Sequence, residues 1–138
     1  MVQLTLHLSA EDLDQLHLHA EENMPLESVA LIFGTVQGTA VKASRIEKVQ
    51  NADESRTTFA IDPETQYQLL IEAERCGEEL VAIFHSHPAP PRPSARDMKN
   101  MELNPVVWLI ASRLTGTWES RAYLLQEKEV VEIALNLI

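Results

Sequence analysis

The chain has one cysteine, Cys76, in 138 residues. An internal disulfide is therefore excluded, and the thiol usage fits a reducing, cytoplasmic compartment. No apolar run is long enough to span a bilayer, and the amino end carries no signal-peptide pattern. Basic residues are scarce: the formal net charge is −10 with histidines neutral. That balance argues against nucleic acid and against anionic membrane, both of which want a basic face. Repeats and low-complexity tails are missing too. The length suits one domain, residues 1–138, with little room for a second. Cys76 itself, with no partner cysteine and no histidine near it in sequence, is expected to be a packing residue at a helix end.

What the chain does have is concentrated in thirteen residues, His85 to Asp97, which include two imidazoles, the hydroxyl of Ser94 and the carboxylate of Asp97. They follow a short apolar run, Leu80 to Phe84, of the length of a buried strand. Side chains i and i+2 of a strand share a face, so His85 and His87 leave its end side by side. His17 and His19 have the same spacing inside a helical pattern, where i and i+2 diverge, and cannot chelate. Ser94 reads as a helix N-cap with Asp97 in the first turn. Prolines at 88, 90, 91 and 93 restrict the connecting loop. Two imidazoles and one carboxylate suit a catalytic zinc, because three protein ligands leave the fourth tetrahedral position to water. Taken singly, the residues have plainer readings: a polar strand end for the histidines, and a capping box for Ser94 and Asp97.

The remaining pattern predicts strands over residues 2–8, 27–36 and 39–49, the last two forming a hairpin around Gln37-Gly38. Ser9 opens a helix to about Asn23 with the stripe Leu13, Leu16, Ala20. Residues 51–56 read as a polar loop and 59–61 as a short strand. Asp62-Pro63 opens a helix to Cys76 with an amphipathic stripe of Tyr67, Leu70, Ile71 and Glu74, closed by Gly77. A short helix follows over 95–101, then strands over 105–112, 117–126 and 129–137. Their turns fall at Thr115-Gly116 and Glu127-Lys128. Hairpins mixed with crossover helices predict an α/β fold with a mixed sheet. Trp108 and Trp118 are expected to pack in the core or at an edge.

The motif as a whole resembles the JAMM (MPN-plus, JAB/MPN) metalloprotease family: a glutamate early in the domain, then His-x-His-Pro, then Ser-x-x-Asp. His85-Ser86-His87-Pro88 and Ser94-Ala95-Arg96-Asp97 match the later elements. Pro25-Leu26-Glu27-Ser28-Val29-Ala30-Leu31-Ile32-Phe33-Gly34 matches the early one. Five residues separate Pro88 from Ser94 where the family commonly has six, and Ala30 replaces a usual glycine. The resemblance covers most of the chain, and the small size is similar to prokaryotic members. It implies a mostly antiparallel curved sheet flanked by helices, akin to cytidine deaminases, whose Pro-Cys-x-x-Cys motif this chain lacks. It also implies zinc on His85, His87 and Asp97, with Glu27 as general acid/base and Ser94 stabilising the oxyanion. The implied activity is that of a deubiquitinase-like isopeptidase, cutting after the C-terminal glycine of ubiquitin or a ubiquitin-like protein. Two alternatives use the same fold: a processing protease for a β-grasp sulfur-carrier protein, and a non-catalytic MPN scaffold. The acidic chain is compatible with a substrate tail that brings basic residues.

Overall fold

The computed structural model describes residues 3–55, 58–87 and 90–138. Val2 of the first expected strand, Arg56 of the polar loop and Pro88 of the His-x-His-Pro motif lie outside the described residues. The elements run β1 (Thr5–Leu8), α1 (Ala10–Asn23), β2 (Val29–Gln37), β3 (Ala40–Val49), α2 (Pro63–Arg75), β4 (Glu79–Ser86), α3 (Ala95–Leu103), β5 (Val107–Ser112), β6 (Glu119–Gln126) and β7 (Glu129–Leu137).

The strands pair in the order β1-β3-β2-β4-β5-β6-β7, and β1 also pairs with β7, closing the sheet on itself. The pairs β2–β3, β2–β4, β5–β6 and β6–β7 are antiparallel. Those of β1 with β3 and β7, and of β4 with β5, are parallel. The sheet is thus mixed with an antiparallel majority, and helices flank it on both faces.

The central strands are apolar throughout because both faces are covered. In β2, Ala30 and Ile32 pack with Leu16 and Ala20 of α1. The alternate residues Val29, Leu31 and Phe33 pack with Ala73 of α2 and Met101 of α3. Strand β4 repeats the pattern: Ala82 and Phe84 face the α1 side, and Ile83 faces the α2–α3 side. Period two then carries His85 to the side that α3 covers, while Ser86 turns the other way.

Strand β2 is irregular at its middle. Its register shifts against β3 between Phe33 and Gly34, and against β4 between Ile32 and Phe33. Gly34 is required there, since a Cβ would lie 1.8 Å from the Lys42 carbonyl oxygen. The strand expected over 27–36 thus runs from Val29 to Gln37, with a bulge where the glycine sits.

Three local expectations need correction. Residues 59–61 form no strand. The Asn51 side chain takes over their backbone pairing: its Oδ1 accepts from Ala60 N at 3.1 Å and its Nδ2 donates to Thr58 O at 2.9 Å. Helix α2 is amphipathic but rotated from the expected stripe. Ala73 is its buried residue and Leu69 packs beside it, whereas Tyr67 and Leu70 are exposed. Cys76 caps α2 and is exposed, not packed.

The two tryptophans differ. Trp108 is buried and donates its indole N–H to Asn104 O at 3.1 Å. Trp118 precedes β6 and packs against the α1-side core while its indole N–H reaches Glu21 Oε2 at 3.3 Å. Among the described residues, no helix is long and apolar enough to cross a membrane.

Candidate metal centre

The start of β2 and the ends of β4 and β5 meet at one edge of the sheet. Strands β4 and β5 are parallel and joined by the α3 crossover, so their carboxyl ends open onto the same crevice. Glu27 enters from just before β2, His85 and His87 from the end of β4, and Asp97 from the first turn of α3.

Buried polar groups hold these segments in place. Asn51 Nδ2 donates to Glu27 O at 2.9 Å, and Glu27 N donates to Ser55 O at 2.8 Å. Ser28 N donates to Ser86 Oγ at 2.8 Å, joining the start of β2 to the end of β4. His87 N donates to Ala111 O at 2.7 Å. Across the loop, Tyr123 Oη donates to Pro91 O at 2.6 Å. Asn51, Ser28 and Tyr123 were not read as part of a site. Their partners lie 24, 58 and 32 residues away, so no local pattern announces them.

The expected residues Glu27, His85, His87 and Asp97 do come together. His85 is fully buried between Phe59 and Trp108, with ring centroids 4.9 and 5.9 Å away. Its Nδ1 lies 3.2 Å from Ser86 O and 3.4 Å from Glu27 Oε1. Its Nε2 lies 3.3 Å from Asp97 Oδ1, and His87 Nε2 lies 3.8 Å from Asp97 Oδ2. Ser94 and Asp97 form the full capping box: Asp97 N donates to Ser94 Oγ at 3.1 Å, and Ser94 N donates to Asp97 Oδ2 at 2.9 Å. The loop one residue shorter than the family's still delivers Asp97 to the histidines.

Charge in this site is unbalanced without a cation. Glu27 is 3% exposed and its Oε2 has no hydrogen-bond partner among the described residues; neither do His85 Nε2 and His87 Nδ1. If Nδ1–H of His85 is given to Ser86 O, the lone pair of Nε2 faces a carboxylate oxygen across 3.3 Å. Two acceptors at that distance need a shared proton or a metal ion between them. In the metal-free protein the proton takes that place. Burial opposes the charge, but the attraction of Asp97 and Glu27 outweighs it and raises the His85 pKa to about 9. Burial likewise opposes ionisation of Asp97, yet His85 holds its pKa down at about 2.

The donor set fits zinc in type, as two imidazole nitrogens and one carboxylate. Bonds of 2.0–2.2 Å to a tetrahedral ion set its ligand atoms roughly 3.3–3.6 Å apart. The 3.3 Å contact of His85 Nε2 with Asp97 Oδ1 matches that edge, while His87 Nε2 stands 3.8 Å from the other carboxylate oxygen, Oδ2. Among the described residues no three such groups already stand as a finished cage, and the 3.8 Å contact of His87 is the one that has to tighten.

A cleft of about 610 Å³ reaches the site at Glu27 and His87. Glu27, Ser86 and His87 lie in its wall, together with Met24, Leu26 and Trp118. The second histidine pair is apart from the site and from each other. His17 Nε2 bonds Ser120 Oγ at 2.6 Å, and His19 Nε2 bonds Val29 O at 2.9 Å.

Known proteins resemble this chain in sequence and in fold. Residues 9–125 match the family of prokaryotic homologs of the JAB domain. A desampylase of Pyrococcus furiosus is 34% identical over 118 residues, covering 85% of this chain and 82% of that protein. A probable TtuB-protein conjugate cleaving protease of Thermus thermophilus is 31% identical over 134 residues, covering 96% of this chain and 84% of that protein. The solution structure of a protein from Desulfitobacterium hafniense superposes with a TM-score of 0.85 at 27% identity, covering 96% of this chain and 92% of that one.

Proposed function

The chain belongs to the family of prokaryotic homologs of the JAB domain, and from that premise we propose that it is a zinc-dependent isopeptidase of the JAMM type. Its substrate is the bond that follows the C-terminal glycine of a ubiquitin-like modifier. His85, His87 and Asp97 hold the metal, Glu27 is the general acid/base, and Ser94 donates to the oxyanion. The observation that carries this reading is the buried, half-partnered Glu27 carboxylate beside two unsatisfied imidazoles, at the floor of an open cleft. An unpartnered carboxylate is costly to bury, and it needs a reacting group or a cation to justify its position.

Zinc, when bound, supplies Lewis-acid polarisation and a water acidified to a pKa of roughly 7. Glu27 keeps Oε1 on the His85 side, while Oε2 is free to take the water proton. The same carboxyl then delivers that proton to the leaving amine as the carbon–nitrogen bond breaks. Ser94 Oγ already accepts the Asp97 N–H, which leaves its own hydroxyl proton to give to the developing oxyanion. A donor in that role is worth about 3 kcal/mol in the transition state. His85 is oriented through Nδ1 by Ser86 O, so that Nε2 is the nitrogen presented to the metal.

The names of the relatives favour conjugates as substrate: one is named a probable TtuB-protein conjugate cleaving protease and another a desampylase. A processing protease for a β-grasp sulfur-carrier protein would use the same residues on a different tail. A non-catalytic scaffold has no need of Glu27, His85, His87 and Asp97 together. The cleft walls, largely apolar side chains of Met24, Pro25, Leu26, Leu114 and Trp118, suit an extended tail of small residues.

The test is cleavage by the zinc-loaded protein of a panel of ubiquitin-like and sulfur-carrier proteins, each joined to a reporter through its terminal glycine. Full-length fusions are expected to be cut far faster than peptides of the last few residues, because remote contacts position the scissile bond. Equal rates would point to a general small peptidase. No cleavage of any fusion, with zinc bound, would favour the scaffold.

A further inference from the structure

A hydroxyl can accept two hydrogen bonds and donate one. Ser86 Oγ has both acceptor positions filled, by Ser28 N–H at 2.8 Å and by the Ser28 hydroxyl at 3.0 Å. Its own proton has no acceptor among the described residues. The opposite sense, with Ser86 donating to Ser28 Oγ, is disfavoured by burial. Ser28 is 1% exposed, is absent from the cleft lining and has no second acceptor in reach among the described residues, so its proton would be stranded in the core, whereas Ser86, 5% exposed, does line the cleft. Ser86 lines the same cleft as Glu27 and His87, where its proton can meet water or substrate. Two fixed lone pairs leave the O–H one direction, so the donor is oriented before anything binds.

We propose that Ser86 is a substrate-binding residue whose hydroxyl donates a hydrogen bond to a backbone carbonyl of the tail, seating that carbonyl beside Glu27 and His87. This rests on the reading of the cleft as a site for an extended glycine-ended chain. Such a chain offers carbonyl oxygens and little else for a specific contact. Ser86 is separate from the metal-holding set, because the strand's alternation turns its side chain away from the face of His85. Ser28 is the support: its N–H and O–H hold Ser86 Oγ in one orientation.

The experiment compares the zinc-loaded wild type with Ser86→Ala and Ser28→Ala, reading zinc content, thermal stability, kcat and KM on one full-length conjugate. Both variants lose the bond between the two hydroxyls, and only Ser86→Ala loses the donor in the cleft. Ser86→Ala is expected to raise KM about tenfold, with kcat and zinc content close to wild type. Ser28→Ala, which keeps the N–H but loses the O–H that orients Ser86, is expected to lose stability and to raise KM clearly less than Ser86→Ala does, about threefold. Should Ser86→Ala fail to fold, Ser86→Cys takes its place: it fills similar space, is a weaker donor, and should raise KM about threefold. A Ser86 variant with unchanged KM, or Ser28→Ala raising KM as far as Ser86→Ala, would reduce the pair to a structural staple. A wild type that cuts no conjugate defeats the functional reading first, and this inference with it.

Discussion

The Asp97 carboxylate serves the helix cap and the histidines at once: Oδ2 accepts Ser94 N–H at 2.9 Å and lies 3.8 Å from His87 Nε2, and Oδ1 faces His85 Nε2 at 3.3 Å. The helix cap and the metal-facing carboxylate are therefore one group. Capping fixes the rotamer of Asp97, and the fixed rotamer aims the other oxygen at the imidazole.

The protein is expected to carry one zinc per chain when purified without added metal. Elemental analysis should show that the double variant His87→Ala, Asp97→Ala has lost it. A full equivalent retained by that variant would place the metal elsewhere.

Glu27→Gln preserves shape and the contact to His85 while removing the base. Turnover should fall by about 10²–10⁴-fold with zinc content and fold intact. A loss below tenfold would give the proton transfers to another group, and a variant without zinc would make Glu27 a support of the ligands.

The metal-free protein should show a defined pH window. The His85 pKa rises from 6.5 to about 9 on folding, so its contribution is complete below 6.5 and disappears as pH climbs through 9. That of Asp97 falls from 3.8 to about 2, so its contribution is present above 3.8 and is lost as pH drops toward 2. Denaturant titrations should give greatest support from this pair between those limits. Zinc must displace the His85 proton, so its affinity should rise by up to about tenfold per pH unit below 9. Zinc affinity that is flat from pH 6 to 8 would mean that His85 is neutral before metal arrives.

Gly34→Ala should destabilise the fold by roughly 1–3 kcal/mol, as overpacking does, because its Cβ meets a main-chain oxygen that cannot rotate away. A denaturant midpoint equal to wild type would mean that the bulge relaxes freely.

The histidine pair was legible because strand alternation alone decides which side chains share a face, and Asp97 because a cap has a three-residue signature. The face of α2 was not. Tyr67, Leu70 and Ile71 make as good an apolar stripe on paper as Leu69 and Ala73. Only the position of β4, which α2 packs across, selects between them. The strand expected over residues 59–61 failed for a similar reason: Asn51, eight or more residues upstream, supplies the pairing that a neighbouring strand would have given. Closure of the sheet joins Thr5–Leu8 to Ala134–Leu137, opposite ends of the chain, through parallel pairing that no hairpin signal foretells.

The twin register shifts in β2 fall close to where its pairing with β4 ends, at Gly34, while its pairing with β3 runs on to Gln37. The length from Val29 to Ile32 is locked to β4 and delivers Glu27. Beyond Gly34 it runs out to the Gly38–Thr39 turn. Changes of length at that turn can be absorbed at the bulge before they reach the acid. The distal hairpin is therefore the part of the strand open to variation, a natural place for an affinity handle or a fluorescent label that leaves the chemistry alone.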